Sequence, residues 1–462
     1  MKDFLFEDTI VALATASGKS AIAVIRVSGK DTFNITDSIF INPKGKKIIN
    51  QKSHSILFGN ILDNNQQIID EVLISIFRSP HSFTKEDSVE ISCHGSLYII
   101  NTIIALLIKN GARLARPGEF TQRAFLGGRL NLAQAEAVAD IIEAENKASH
   151  LVAINQMRGG FSLELKQLRE ELIYLASMLE LELDFSEEDV KFADPAQLNN
   201  LVNNLLNLIS KLLESFKQGN AIKNGITVSI VGNPNAGKST LLNSILNDYK
   251  AIVSDVPGTT RDIIEDKVNL DGICFRFCDT AGLRTTQDKV EEIGIQLTKN
   301  KIKTSNIIIY VFDLTSQTYN EALRELEAIN TLDTPIIIVG NKIDAIDQIN
   351  LPLPQETPNL IFISAHQKAD IEKLKQTIVN VAYSYNILTN NENLLTNIRH
   401  HTCLEKAKES IITVIETINN GGTNDLLIID LKKTINILGE ITGEITTEDI
   451  LDSIFSKFCI GK

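Results

Sequence analysis

The segment GNPNAGKS, residues 232–239, carries the strongest chemical signal in the chain. It has the spacing G-x-x-x-x-G-K-[ST], follows a β-branched run and precedes the helix-like TLLNSIL. In such a loop the backbone around Asn235, Ala236, Gly237, Lys238, Ser239 and Thr240 would cradle phosphates at a helix N-terminus. Lys238 would reach the β- and γ-phosphates, and the Ser239 hydroxyl would ligate Mg²⁺. Further segments follow in order. DTAG (Asp279, Thr280, Ala281, Gly282) closes a strand-like run; Asp279 would hold Mg²⁺ through water, and the Gly282 amide would sense the γ-phosphate. NKID (Asn341, Lys342, Ile343, Asp344) closes another. The Asp344 carboxylate can accept from both N1–H and N2–H₂ of guanine, donors that adenine does not offer. Ser364 and Ala365, after the next strand, would buttress the base. The ordered set reads as a GTPase.

Two details depart from Ras-like chemistry. Leu283 follows DTAG, and an apolar side chain does not orient an attacking water as a glutamine does. The segment DVPGTTRD, 255–262, offers Thr260 as a second Mg²⁺ ligand, with Arg261 open to a structural ion pair. A decoy, SGKS at 17–20, has Leu13 where a phosphate loop needs its first glycine, so it reads as a surface turn.

These loops need elements to hold them. From about 221 to 377, strand-like runs (ITVSIVG, NIIIYVFD, PIIIVGN, NLIFIS) alternate with helical stretches, which predicts a mostly parallel sheet wrapped by helices. Residues 121–220 carry two leucine seams at spacings of 3 and 4, Leu165-Leu168-Leu172-Leu175-Leu179 and Leu198-Leu201-Leu205-Leu208-Leu212. The acidic DFSEEDVKFADP between them reads as a turn. Residues 1–120 mix short β-branched runs such as SVEISCHG with one longer helical stretch, 97–109, and read as α+β. Helical periodicity returns over 378–462. The expected architecture is multidomain: an α+β N-terminal domain, and an α/β P-loop domain inserted into a discontinuous all-α domain.

Composition sets outer bounds. The chain has 462 residues, 43% hydrophobic and 22% charged, in the range of folded globular proteins. Net charge is 45 − 58 = −13, against a surface built for nonspecific nucleic-acid binding. One local basic stretch, Arg113, Arg116, Arg123 and Arg129, is open to tRNA phosphates or to an anionic cofactor. No apolar run approaches the about 18 residues that span a bilayer, the N-terminus lacks a basic leader, and five scattered cysteines form no disulfide framework. A cytoplasmic location without membrane attachment is expected.

GNPNAGKS, DVPGTTRD, DTAGLR and the terminal FCIGK together resemble the tRNA modification GTPase family called MnmE or TrmE. The resemblance extends to TIVALATASG and IRVSG near the start, to residues 116–142 and to residues 439–462. It implies a folate-binding and dimerising N-terminal domain over 1–120, a helical domain over 121–220 and 378–462, and a G domain over 221–377. It implies a homodimer whose G domains pair when GTP and K⁺ bind. With a flavin-dependent partner, such proteins install an aminomethyl-type group on C5 of wobble uridine in certain tRNAs. The one-carbon unit comes from a tetrahydrofolate derivative. By aligned position, Asn235, Ser254, Val256 and Thr259 would ligate K⁺, within a loop that also contains Asp255, Pro257 and Gly258. Glu291 would orient the water that Leu283 cannot. Arg26, Glu90, Arg129 and Lys462 would contact folate: the glutamate can accept from pterin N–H donors and the arginines can pair with carboxylates. The resemblance also implies that Cys459 would be required for modification, as nucleophile, redox thiol or structural residue.

Two departures stand out: ATASGKSA replaces the family's Pro-Pro loop, and SAHQKADIEKL lacks the glycines usual after Ser-Ala. A different class, a ribosome-assembly GTPase, also uses potassium and such switches. It would carry a basic RNA-binding domain, which the flanking sequence does not show. A purely signalling switch leaves FCIGK unexplained.

Overall fold

The structure, a computed structural model, describes residues 8–184, 195–247, 265–279, 305–329, 334–346, 359–385 and 394–461. The chain forms two compact units. One comprises residues 1–142, 156–202 and 409–462; the other comprises 143–155 and 203–408.

The first unit is built on a seven-stranded sheet. Its strands are β1 (Thr9–Leu13), β2 (Ser20–Ser28), β3 (Phe40–Ile41), β4 (Ser55–Leu62), β5 (Ile68–Phe77), β6 (Ser88–Gly95) and β7 (Ala112–Leu114). Their order is β3-β4-β5-β6-β2-β1-β7, antiparallel except for the β1/β7 pair. Alternation explains the two faces. Along β6, Val89, Ile91 and Cys93 are buried, while Glu90, Ser92 and His94 point the other way. The buried face packs under α1 (Thr32–Asp37) and α2 (Leu97–Lys109), whose Ile100, Ile103 and Leu107 recur at helical spacing. Residues 17–19 form an exposed bend that leads into β2 at Ser20.

Helices follow: α3 (Glu119–Leu126), α4 (Leu132–Glu143), α5 (Lys147–Met157), α6 (Gly160–Asp184) and α7 (Pro195–Asn224). The α6 seam buries Leu165, Leu172, Leu175 and Leu179 and half-buries Leu168. In α7, Ile209 takes the buried place expected of Leu208, which is half-buried. Of the proposed turn over 184–195, residues 185–194 lie outside the described residues.

The second unit holds a six-stranded sheet: β8 (Ile226–Val231), β9 (Glu265–Leu270), β10 (Ile273–Asp279), β11 (Ile307–Asp313), β12 (Ile336–Asn341) and β13 (Leu360–Ile363). The order β13-β12-β11-β8-β10-β9 is parallel except for the β9/β10 hairpin. That hairpin turns at Asp271 and Gly272, with φ of 50° and 80°, the positive-φ pair that an Asp-Gly turn supplies. β11 is buried along nearly its whole length, as parallel strands covered on both faces are. Around the sheet lie α8 (Lys238–Asn247), α9 (Tyr319–Ile329) and α10 (Lys368–Ser384). The remaining helices are α11 (Ile398–Asn419), α12 (Asn424–Thr442) and α13 (Glu448–Phe455). Within the first unit α12 packs along α6, where Arg169 Nε donates to the Ile435 carbonyl at 3.0 Å and pairs with Glu444.

Candidate functional site

Parallel strands deliver their loops to one edge, the carboxyl ends, where α/β sheets bind ligands. β8 leads into residues 232–239 and then α8. Two glycines are obligatory there. A Cβ on Gly232 (φ 145°) would sit 1.9 Å from the Val311 carbonyl oxygen, and one on Gly237 (φ 91°) 2.2 Å from Asn341 Nδ2. Asn235 is left-handed at φ 63°. Lys238 Nζ donates to the carbonyls of Gly232 and Asn233, each at 2.8 Å, so the ammonium folds back over the loop it would share with phosphates. Ser239 and Thr240 follow on the first turn of α8, where backbone N–H groups have no helical acceptor.

The base-side loops are joined to this one. Asn341 is 2% exposed; its Nδ2 donates to the Ala236 carbonyl at 2.9 Å, and its Oδ1 accepts from the Ala365 N–H at 3.0 Å. Ser244 Oγ on α8 donates to the Ala365 carbonyl at 2.7 Å. Lys342 is left-handed at φ 67°, and its Nζ pairs with Asp313 Oδ2 at the end of β11. Burial opposes ionisation of Asp313, but Lys342 and Thr315 outweigh it and hold the carboxyl below its ordinary value. The short turn Ile343–Ala345 leaves the Asp344 carboxylate exposed, free to meet a base. The Ser364 N–H donates to Asp370 Oδ2 at 2.8 Å, and Ser364 Oγ is buried without a partner among the described residues. Sequence reasoning missed Asp313, Asp370 and Ser244: each acts on a loop from another element, and no motif marks it.

Asp279 ends β10 opposite Ile230. Thr280, Ala281, Gly282, the 254–260 loop (Ser254, Asp255, Val256, Pro257, Gly258, Thr259, Thr260), Glu291 and Lys462 lie outside the described residues.

The first unit contains a cavity of about 510 Å³ lined by Arg26, Glu90 and Arg129 together, with Phe83, Lys85 and His54 among the other walls. Arg26 and Glu90 face each other across β2 and β6 in register, and Arg26 Nη2 and Nε both reach Glu90 Oε1, at 2.8 and 3.0 Å. Phe83 lies between two guanidiniums, 5.3 Å from that of Arg26 and 5.2 Å from that of Arg129. Arg26 also stacks on Phe120 at 5.6 Å. Paired charges beside an aromatic wall suit a flat, hydrogen-bonding ring that carries carboxylates.

Arg113 and Arg123 are engaged by carboxylates while Arg116 stays largely exposed, which corrects the reading of all four as open to phosphates for those two. Arg113 and Arg123 both pair with Asp8 and Glu119, Arg123 reaches Glu86, and Arg116 lies 3.6 Å from Glu119. Burial alone would raise the Glu119 carboxyl, but Arg113, the Arg116 N–H and Arg123 lower it. At Glu86 burial prevails over Arg123 and raises the carboxyl.

The chain's end is stitched to this unit. Ile460 bridges Pro117, and the Gly118 N–H donates to the Cys459 carbonyl at 3.4 Å. A Cβ on Gly461 (φ 95°) would meet the Leu13 carbonyl oxygen at 2.1 Å, next to the Ala12–Arg26 register pair. Cys459 is exposed, and Cys93, Cys278 and Cys403 are buried. Among the described residues no group of three or more His, Cys, Asp or Glu could hold a metal.

Two family models match the chain end to end along its length. A family model described as the MnmE helical domain matches residues 132–459, and one described as the GTP-binding protein TrmE N-terminus matches 9–129. A protein of Cytophaga hutchinsonii named tRNA modification GTPase MnmE is 50% identical over 455 residues, covering 98% of each chain. Its namesake in Flavobacterium psychrophilum is 47% identical over 464 residues, covering 99% of this chain and 100% of that one.

Proposed function

Because the chain belongs to the MnmE family of tRNA modification GTPases, we propose that it is a K⁺-dependent GTPase that, with a flavin-dependent partner, installs an aminomethyl-type group on C5 of wobble uridine, using a tetrahydrofolate derivative as one-carbon donor. GTP hydrolysis in the service of tRNA modification is the family's activity and is carried by this chain.

The observation that carries the finer reading is the shared cavity of Arg26, Glu90 and Arg129, with the Cys459 segment fastened to the neighbouring strand. Glu90 uses one oxygen for Arg26, which leaves Oε2 to accept pterin N–H donors. Arg129, with Lys462 from the terminus, answers the carboxylates of the donor. Cys459 is exposed and belongs to the same unit as this cavity.

At the nucleotide loops Lys238 holds the β- and γ-phosphates, and Asp344 reads guanine. Ser239, Thr260 and Asp279 would hold Mg²⁺. Asn235, Ser254, Val256 and Thr259 hold K⁺. The two ions supply positive charge where the transition state gathers negative charge. Glu291 orients the attacking water, the task Leu283 cannot perform. Homodimer formation through the first unit is supported by the open face of its sheet, where Ile22, Ile56, Phe58 and Leu73 are exposed. No helix among the described residues is long and apolar enough to cross a membrane.

The test is calorimetric titration of the full chain with 5-formyl-tetrahydrofolate. Binding should be lost in Arg26→Ala and Glu90→Gln, with GDP binding retained. Binding that survives both substitutions, or is absent from the parent, contradicts the folate reading.

A further inference from the structure

The cavity carries more positive charge than a ring and one glutamate require. Its full charges are Arg26, Lys85 and Arg129 against Glu90. Arg26 is matched by Glu90. Lys85 and Arg129 have no carboxylate partner among the described residues; Lys85 Nζ donates to the Gly128 carbonyl at 3.0 Å, and Arg129 Nη1 to the Ser82 carbonyl. These two bonds run in opposite directions between the same pair of loops, so each cation is positioned and keeps donors to spare. In a chain of net charge −13, two unneutralised cations on one wall select for anions.

A second observation points to the same wall. Lys85 and His54 both sit in the left-handed region, at φ 61° and 60°. That conformation is costly for any residue with a Cβ, and such residues gather at ligand sites. Both are held by their neighbours: Ser79 Oγ donates to the Lys85 carbonyl at 2.8 Å, and the His54 N–H donates to the Ile76 carbonyl at 2.7 Å. Glycine would relieve either position, yet each presents a basic side chain to the cavity. His81 adds a third such side chain at the exposed rim.

We propose that Lys85, with His54 and His81 at the rim, forms a subsite for the second and later carboxylates of an oligo-γ-glutamyl tail. The cavity then prefers the polyglutamylated one-carbon donor to the monoglutamate. The inference rests on the folate reading above and names the substrate form of that site.

The experiment titrates the full chain with mono- and triglutamate forms of 5-formyl-tetrahydrofolate at low and high salt. The triglutamate should bind at least about fivefold more tightly at low salt, and the margin should shrink as salt screens the added charges. Lys85→Asn keeps a residue tolerant of left-handed backbone and should bring the margin within about twofold, whereas Lys85→Arg should preserve it. Equal affinities in the parent, a margin indifferent to salt, or a margin untouched by Lys85→Asn overturns the subsite. If neither form binds the parent, the folate reading fails and the subsite falls with it.

Discussion

Asn341 and Ala236 are joined by a buried hydrogen bond of 2.9 Å, from the side-chain amide of the first to the backbone carbonyl of the second. Asn341 also accepts from the Ala365 N–H at 3.0 Å. One side chain thus fixes the distance between the phosphate loop and the base-side loop, and a nucleotide must span that distance.

Replacing Asn341 by Asp keeps the acceptor for Ala365 and removes the donor to Ala236. A buried carboxylate is then set against a carbonyl, and an unmet buried acceptor costs about 1–3 kcal/mol. GDP affinity of Asn341→Asp should fall roughly 10- to 100-fold at pH 7. Part of the loss should be recovered at lower pH, where the protonated carboxyl can donate again. Titration with a fluorescent GDP analogue across pH reads both effects; unchanged affinity would mean the two loops are not tied through this residue.

Glu119 makes the first unit sensitive to acid. Its side chain is fully buried and accepts from Arg113 at 2.6 Å, Arg123 at 3.0 Å and the Arg116 N–H at 2.8 Å. Its carboxyl is held below the ordinary 4.5, so its stabilisation is complete above that pH and is lost as pH falls through the depressed value. Glu86 has the opposite sign: its raised carboxyl takes stability away as pH climbs from 4.5 through the raised value. Glu119→Gln should cost about 3–5 kcal/mol at pH 7, the range for breaking a buried pair. The gap to the parent should narrow below pH 4.5, as read by urea unfolding followed by far-UV circular dichroism. A gap that does not change with pH would remove the charge from the explanation.

The same cluster shows what the sequence could and could not tell. A short β-branched run located β6 at 88–95 and a longer run located α2 at 97–109, because residue type and run length are local features of the chain. The phosphate loop was legible because its chemistry sits in consecutive residues. The partners of Arg123 were not: Asp8 is 115 residues away and Glu86 is 37, so four arginines in a row of spacings looked available when only Arg129 reaches the cavity. Phe83 and Lys85 went unnoticed for the same reason. They become site residues only once their loop is folded against residues 128–129.

Hydrolysis should depend on the monovalent ion. Asn235 takes a left-handed conformation within the phosphate loop, and its side-chain oxygen together with the 254–259 segment makes up the proposed ion site. GTP turnover should be much faster in KCl than in NaCl at equal ionic strength. Asn235→Gly suits the left-handed backbone and removes the oxygen; it should abolish the preference and retain GDP binding. Equal rates in the two salts for the parent would eliminate the potassium site.

The most direct measurement is mass spectrometry of wobble nucleosides in tRNA from cells that lack this chain, complemented with the parent, with Glu291→Ala or with Cys459→Ser. The parent should restore the C5-modified uridine. Glu291→Ala should bind GTP, fail to hydrolyse it and fail to restore the nucleoside. Cys459→Ser should keep GTP turnover near the parental rate and still fail, because Cys459 belongs to the first unit, where its segment is fastened beside Pro117 and Gly118. Full modification by Cys459→Ser, or a wobble profile unaltered by loss of the chain, would contradict the assignment of GTP hydrolysis and one-carbon chemistry to two sites of one tRNA-modifying enzyme.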